Sequence, residues 1–249
     1  MYHALSRGQV PPGQDPHYTL DEARFREQLR LVAEVGGACS AYGWLHDGER
    51  RPVVLTFDDG HASNYRLAFP ALVEHGMRAD FFVNPGNIGK PGFATWAQLR
   101  EMGAAGMSIQ SHGYDHVYLT SLGRDALRER LHAARITIED GIGSAVTLLA
   151  PPGGRMPSGL VGIARQCGYR HVLSSRPGRL PASRGTTVLP RLAITTAIDA
   201  HRFHAWIHGQ RTSILREQLR YGSLSLVKGI LGDSRYERAR MLALAGRRS

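Results

Sequence analysis

An apolar run that stops on two adjacent carboxylates and a glycine constrains this chain more than any other stretch: Val53-Val54-Leu55-Thr56-Phe57-Asp58-Asp59-Gly60. A strand buried on both faces of a parallel sheet reads as such a run, and α/β folds place their chemistry where those strands end. Neighbouring side chains on extended backbone point to opposite sides. Asp58 and Asp59 therefore share a site only if the backbone turns between them, which Gly60 permits. Two carboxylates so placed can divide labour, one binding a cation while the other takes a proton. Asp-Gly after a strand is also an ordinary turn signal. The stretch alone leaves both readings open.

The rest of the chain alternates in a way that favours the first reading. Downstream the pattern predicts a helix over 64–75, a strand over 79–83 and a Pro/Gly-rich loop over 84–92. A helix capped by Thr95 follows, with Trp96, Leu99 and Met102 inward, then a strand over 107–110 and a long helix over 124–140. A strand at 145–150, a helix at 158–166 and strands at 171–174 and 188–194 complete the series. Upstream, residues 1–19 read as an ordered arm rich in Pro and Gly. Thr19 is expected to cap a helix over 20–35 that Gly36-Gly37 stops, with a charged loop over 46–51 beyond it. Alternating strands and helices imply right-handed crossovers and a parallel sheet. Pattern alone does not choose between an open sheet and a barrel. The expected organisation is a catalytic unit over 1–210, arm included, and a basic helical extension over 211–249 broken by Gly222, Gly229 and Gly232. That extension reads as helices packed on the domain with a solvated basic face, or as an amphipathic tail lying on an anionic bilayer.

Composition narrows the partners. At 249 residues, 42% hydrophobic and 21% charged, the chain can bury one substantial core. A net charge of +10 points to anionic partners such as acidic glycans or a membrane surface. The basic residues are scattered, with few aromatics between them and no nucleic-acid motif, so nucleic acid is not an expected partner. Two distant cysteines, Cys39 and Cys167, suggest neither a disulfide framework nor a thiolate metal site. No apolar run approaches the ~20 residues of a membrane span. Met1 to Ser6 show neither the basic nor the apolar region of a signal peptide, so the expected location is cytoplasmic or peripheral at the inner membrane face, export staying open if the N-terminus is truncated.

The third strand ends in Ser111-His112-Gly113-Tyr114-Asp115-His116. Two histidines four apart, at the same sheet edge as Asp58-Asp59, can present both imidazoles to one point. One carboxylate and two imidazoles are a common ligand set for a divalent metal with open positions.

Here the sequence resembles the polysaccharide deacetylases that share the NodB homology domain, also grouped as carbohydrate esterase family 4. The family's Thr-Phe-Asp-Asp-Gly is matched without change by Thr56 to Gly60, and its His-Ser/Thr-x-x-His by His112 to His116 with Gly113 in the Ser/Thr place. The opening Tyr2-His3, and Tyr18-Thr19 leading into Phe25 and Leu29, look like the exopolysaccharide branch. The resemblance covers roughly residues 1–200. It implies a distorted, incomplete (β/α) barrel of about seven parallel strands, with the site at their C-terminal ends. It implies a glycan substrate and a divalent cation, zinc first, with cobalt or nickel also suited to the donors. Asp59, His112 and His116 would be the metal ligands and Asp58 the general base. A bound metal would act as Lewis acid on an acetamide carbonyl and acidify its water, giving acetate and a free amine.

The family's Arg-x-Pro-x-Gly is matched only in part, by Ala150-Pro151-Pro152-Gly153-Gly154. Pro152 and Gly154 fit, and Pro152 is expected to line the substrate site. Ala150 stands where an arginine would orient the base, and Arg155 or Arg191 are the candidates to replace it. Gly153 replaces an aromatic residue whose backbone N–H is the family's oxyanion donor. The same residues also read as a plain Pro-Gly turn. Ile198-Asp199-Ala200-His201 fits the family's late Leu-x-x-His loosely, making His201 the candidate general acid. It equally reads as a helix start capped by Asp199. His61 reads as a sugar contact at the site mouth or as an exposed residue, and His3 approaches the site if the arm packs over the barrel mouth. The alternatives to a glycan deacetylase are an amidohydrolase of a small amide or imide, and an inactive glycan-binding module.

Overall fold

The computed structural model describes residues 1–11, 14–49 and 51–231, with residues 224–231 as backbone only. The strands are β1 (Ala4–Ser6), β2 (Thr19–Asp21), β3 (Ala38–Cys39), β4 (Val53–Val54), β5 (Thr56–Phe57), β6 (Asp80–Val83), β7 (Ser108–Ser111), β8 (Leu148–Leu149), β9 (His171–Leu173) and β10 (Val188–Leu189). The helices are α1 (Glu22–Glu34), α2 (Phe69–Glu74), α3 (Trp96–Ala104), α4 (Arg124–Ile142), α5 (Leu160–Gln166), α6 (Ala200–Ile207) and α7 (Arg211–Leu231).

β5 to β10 pair in sequence order as one parallel six-stranded sheet, and the sheet curls into a half-barrel. Thr56 lies opposite Asp80, Asp80 opposite Ser108, and Ser111 opposite both Val83 and Leu149, so the strands end at one common edge. The two faces separate cleanly. Phe57, Phe81, Ile109, Leu149 and Val172 pack with the helices in the larger core. Phe82 faces the other way and meets Leu148, Ala150, Leu173 and Leu189 in a second cluster that contains no residue of α1 to α7, the barrel interior. Along α4, Leu127, Leu131, Ala134 and Ile138 are buried at spacings of four, three and four, one face of a helix, and each Leu or Ile contributes about 1.5–3 kcal/mol by burial. Thr95 caps α3 as expected, in a reciprocal box with Gln98.

Met1 and Tyr2 lie in the gap that keeps the barrel incomplete. Tyr2 bridges Phe57 in parallel: its N–H donates to the Thr56 carbonyl at 2.8 Å, and the Asp58 N–H donates to its carbonyl at 2.9 Å. On the other side, the Ile194 N–H donates to the Met1 carbonyl at 2.9 Å. The Tyr2 ring is buried against Phe25 and Phe57, and its hydroxyl donates to Gln28 Oε1 at 2.9 Å. This anchor sets the next residue, His3, within electrostatic reach of Asp59 and Asp58.

Two local expectations are corrected and one short strand is added. Thr19 does not cap α1: residues 19–21 form β2, paired with β1, and the Asp21 carboxylate accepts from the Ala23 N–H instead. The short strand β3, pairing with β4, falls just after the Gly36-Gly37 stop. α7 runs unbroken through Gly222 and Gly229, because a glycine costs an exposed helix only ~1 kcal/mol. Gly232 and the rest of the expected extension to residue 249 lie outside the described residues. Among the described residues no helix is long and apolar enough to cross a membrane.

Candidate metal centre and active site

The strand-end turn solves the problem posed by two adjacent carboxylates. Asp58 continues β5 and is 2% exposed, facing the barrel interior. Asp59 then adopts φ 76° and Gly60 φ 72°, two consecutive left-handed residues that swing Asp59 back over the barrel mouth. Left-handed backbone is costly for a residue with a Cβ, though least so for Asp and Asn, and such strain collects at functional sites. His116, at φ 64°, is the other non-glycine residue with positive φ among the described residues.

These strained residues meet. The Asp59 Oδ1 is 3.1 Å from His116 Nε2 and 3.3 Å from His112 Nε2. The ligand atoms of Asp59, His112 and His116 all lie within 4.8 Å of one another. His112 Nδ1 is 2.8 Å from the Ala150 carbonyl, which can only accept, so Nδ1 carries a hydrogen and Nε2 is the nitrogen turned toward Asp59. Asp59 Oδ1 is buried and accepts no hydrogen bond. A buried carboxylate oxygen left without a donor, facing the Nε2 atoms of two imidazoles, is a ligand set that fits a divalent cation.

Asp58 is held from behind. Arg191 Nη1 donates to Oδ1 at 2.6 Å and Nη2 to Oδ2 at 3.0 Å, a bidentate fork. The guanidinium is fixed in turn by the Ser174 carbonyl at 3.2 Å and by Phe82, whose ring centre lies 5.4 Å away. Burial alone would raise the Asp58 carboxyl. Arg191, with His112 and His3, outweighs it and holds Asp58 below its ordinary value. Of the two candidate replacements for the arginine missing at Ala150, Arg191 is thus the one on the aspartate. Arg155 instead lies over the Tyr118 ring, 5.1 Å from its centre.

The turn after β8 carries Pro152, which is buried, and Gly153 in left-handed conformation at φ 59°. Gly113 departs from Ser/Thr where Pro152 presses close: a Cβ there would lie 3.3 Å from Pro152 Cγ. His61 stacks on Phe93 at 5.5 Å, with Nε2 3.4 Å from Asp59 Oδ2, at the rim.

The late histidine is not the one this fold brings to the aspartates. His201 is exposed at the start of α6, whose cap is Asp199, donated to by the Arg202 N–H at 2.7 Å. Besides the cluster imidazoles, His61 acts on Asp59 from the rim, and His3 acts on both Asp58 and Asp59. Its ring lies 4.5 Å from that of Tyr18 and its carbonyl accepts from Asn64 Nδ2 at 2.7 Å. Its Nδ1 is buried without a hydrogen-bond partner. Burial pushes its pKa down to about 4 against the opposing pull of Asp59 and Asp58, so it is neutral at pH 7. The sequence left His3 dependent on the arm packing over the mouth, and the parallel pairing of Tyr2 with Phe57 that decides it has no local sequence signature.

Comparison with known proteins agrees with the geometry. The profile of the polysaccharide deacetylase family matches residues 46–172. YxkH of Bacillus subtilis (strain 168), which carries the family's name, is 28% identical over 188 residues, 68% of this chain and 67% of its own. Two solved structures share the fold: the Streptococcus pyogenes deacetylase PplD in complex with acetate (TM-score 0.69, 24% identity, covering 80% of this chain and 92% of that one), and IcaB from Ammonifex degensii (TM-score 0.68, 24% identity, covering 84% and 95%). With an unaltered Thr56-to-Gly60 motif, an Asp59–His112–His116 cluster and a matching profile across half its length, this chain belongs to the polysaccharide deacetylase family.

Proposed function

We propose that this hydrolase of non-peptide carbon–nitrogen bonds removes N-acetyl groups from a hexosamine glycan in a divalent-metal-dependent reaction, releasing acetate and leaving a free amine. The observation that carries the reading is Asp58, ionised and forked by Arg191, one residue from the Asp59–His112–His116 cluster. A divalent metal held by those three residues would supply Lewis-acid polarisation of the acetamide carbonyl and acidify a water. Zinc is the first choice for this donor set, and cobalt or nickel also suits it.

The chain's own groups supply the rest. An ionised carboxylate has about four acceptor positions, so the two bonds from Arg191 leave Asp58 free to take a proton from the attacking water. The backbone N–H of Gly153 is the donor we assign to the developing oxyanion. The proton that Asp58 takes from the water is the one the departing amine needs, and His3, neutral and carrying one N–H, is the group we assign to hold the leaving nitrogen by a hydrogen bond, in place of His201. Each turnover converts a neutral acetamide into a cationic sugar. PplD, described as a deacetylase and solved with acetate, is consistent with acetate as the product. The resemblance of Tyr2-His3 and Tyr18-Thr19 to the exopolysaccharide branch makes an exopolysaccharide or its precursor the substrate to try first.

The test is acetate release from N-acetylglucosamine oligomers by wild type and Asp58→Asn. Loss of at least about 100-fold in the variant with its metal content intact is expected of a missing general base. A fully active Asp58→Asn would remove Asp58 from the mechanism.

A further inference from the structure

We propose that Tyr118 is a rigid wall of the substrate groove that packs a sugar ring of the glycan, and that glycine stands at 153 to seat it. The inference rests on the glycan deacetylase reading and names a specificity residue within it.

Tyr118 follows the cluster residue His116 by two positions, and the two rings lie 6.4 Å apart, tilted by 55°. The turn that carries Gly153 also abuts the ring. A Cβ at 153 would lie 2.6 Å from Tyr118 Cε1 and 3.2 Å from Cδ1. A side chain at 153 and the Tyr118 ring thus exclude each other, so the ring fills the space that a residue 153 side chain would otherwise hold. Arg155 lies over the ring, 5.1 Å from its centre. The backbone is equally fixed: the Tyr118 carbonyl accepts from the Ser121 N–H at 3.0 Å and the Ser121 hydroxyl at 2.8 Å, and the adjacent Leu119 is buried. Yet Tyr118 itself stays partly exposed. It belongs to neither the cluster nor the Asp58–Arg191 pair.

An immobilised aromatic left partly open at the rim of a reaction centre pays little entropy on binding and offers a flat apolar surface with a polar hydroxyl. That combination suits a pyranose ring, whose C–H face packs on the aromatic while its hydroxyls remain solvated. A small acetate ester has no ring to pack. The wall therefore serves the glycan and not the bond being cut.

Steady-state kinetics of acetate release from N-acetylglucosamine oligomers and from ethyl acetate test this. For Tyr118→Ala and Tyr118→Leu, KM for the oligomer should rise about tenfold, and the fall in kcat/KM on the oligomer should exceed that on the ester by at least fivefold. Tyr118→Leu retains bulk, so agreement between the two separates loss of the ring from loss of packing. Gly153→Ala, whose methyl would displace the ring, should raise the oligomer KM in wild type and add little to that KM in the Tyr118→Ala background, the non-additivity expected of one shared contact, while its effect on kcat through the oxyanion N–H and the strained φ of 59° is the same in both. An unchanged oligomer KM in both Tyr118 variants, or equal losses on oligomer and ester, overturns the wall and leaves the deacetylase reading standing. Absence of acetate release from every glycan by the wild-type protein overturns that reading, and the wall with it.

Discussion

Replacing Arg191 should convert Asp58 from a ready base into a protonated bystander. Asp58 is 2% exposed and Arg191 6%, so neither charge has water to fall back on. In Arg191→Met the fork is gone but the burial stays, and removing one partner of a buried pair costs about 3–5 kcal/mol. The remaining carboxyl escapes part of that cost by taking a proton. Full burial raises a carboxyl by up to about 3–5 pKa units, so Asp58 should pass from below its ordinary range to near neutrality. Two signatures follow. The acid limb of kcat/KM for acetate release should move up by at least about two pH units, with activity partly restored near pH 9. The sign for stability is the reverse of the wild-type case. In wild type the lowered Asp58 pKa contributes stability above the unfolded value of about 3.9, lost as pH falls through the folded value. In the variant the raised pKa makes the destabilisation smallest below about pH 4 and largest near neutrality. Arg191→Lys keeps the charge without the fork and should fall between the two. A pH–rate profile of Arg191→Met that overlays the wild-type acid limb would refute the claim that Arg191 tunes Asp58.

Three further outcomes are expected. Asp59→Ala and His112→Ala should drop bound zinc from about one ion per chain to background by elemental analysis and lose acetate release together; zinc retained in both would displace the cluster. His3→Ala should slow oligomer deacetylation by about 10–100-fold, and slow 4-nitrophenyl acetate far less, because that leaving group needs no help to depart; equal slowing on both would give the leaving-group role to another residue. Asp80, buried at the base of β6 with the Ala41 and Tyr42 N–H groups donating to it, is pushed up to about 7 by burial. Its folded pKa lies above the unfolded value, so its contribution is full below about pH 4 and lost as pH rises through 7. The urea midpoint should therefore decline between pH 5 and 8, and Asp80→Asn should flatten that decline; parallel curves would contradict it.

What the sequence revealed, and what it hid, follows from contact range. Asp58-Asp59-Gly60 and His112 to His116 were legible because each is a short segment whose chemistry and turn sit within a few residues, at strand ends that apolar runs announce. The parallel order of β5 to β10 followed from their alternation with helices. Arg191 came forward only because the resemblance left an arginine place empty at Ala150; its bond to Asp58 spans over 130 residues and has no periodic signature. His3 depended on whether the arm packs across the mouth, which is settled by Tyr2 burying its ring against Phe25 and Phe57. The loosely matching His201 drew the acid role through sequence order, while Asp199 and α6 kept it at the surface. Thr19 misled as a cap because Asp21, two residues on, caps better once Thr19 is paired with Ala4. The left-handed φ of Asp59 and His116 was invisible, since sequence advertises positive φ through glycine.

The central claim, a metal-dependent deacetylase acting on a glycan, is tested most directly by one titration. The purified protein is stripped with a chelator, and acetate release from N-acetylglucosamine oligomers is followed as zinc, cobalt or nickel is returned. Release that vanishes on chelation and recovers with about one equivalent of metal is the predicted result. Release that continues at full rate in the stripped protein, or none with any metal while all three cluster residues bind it, would contradict the account.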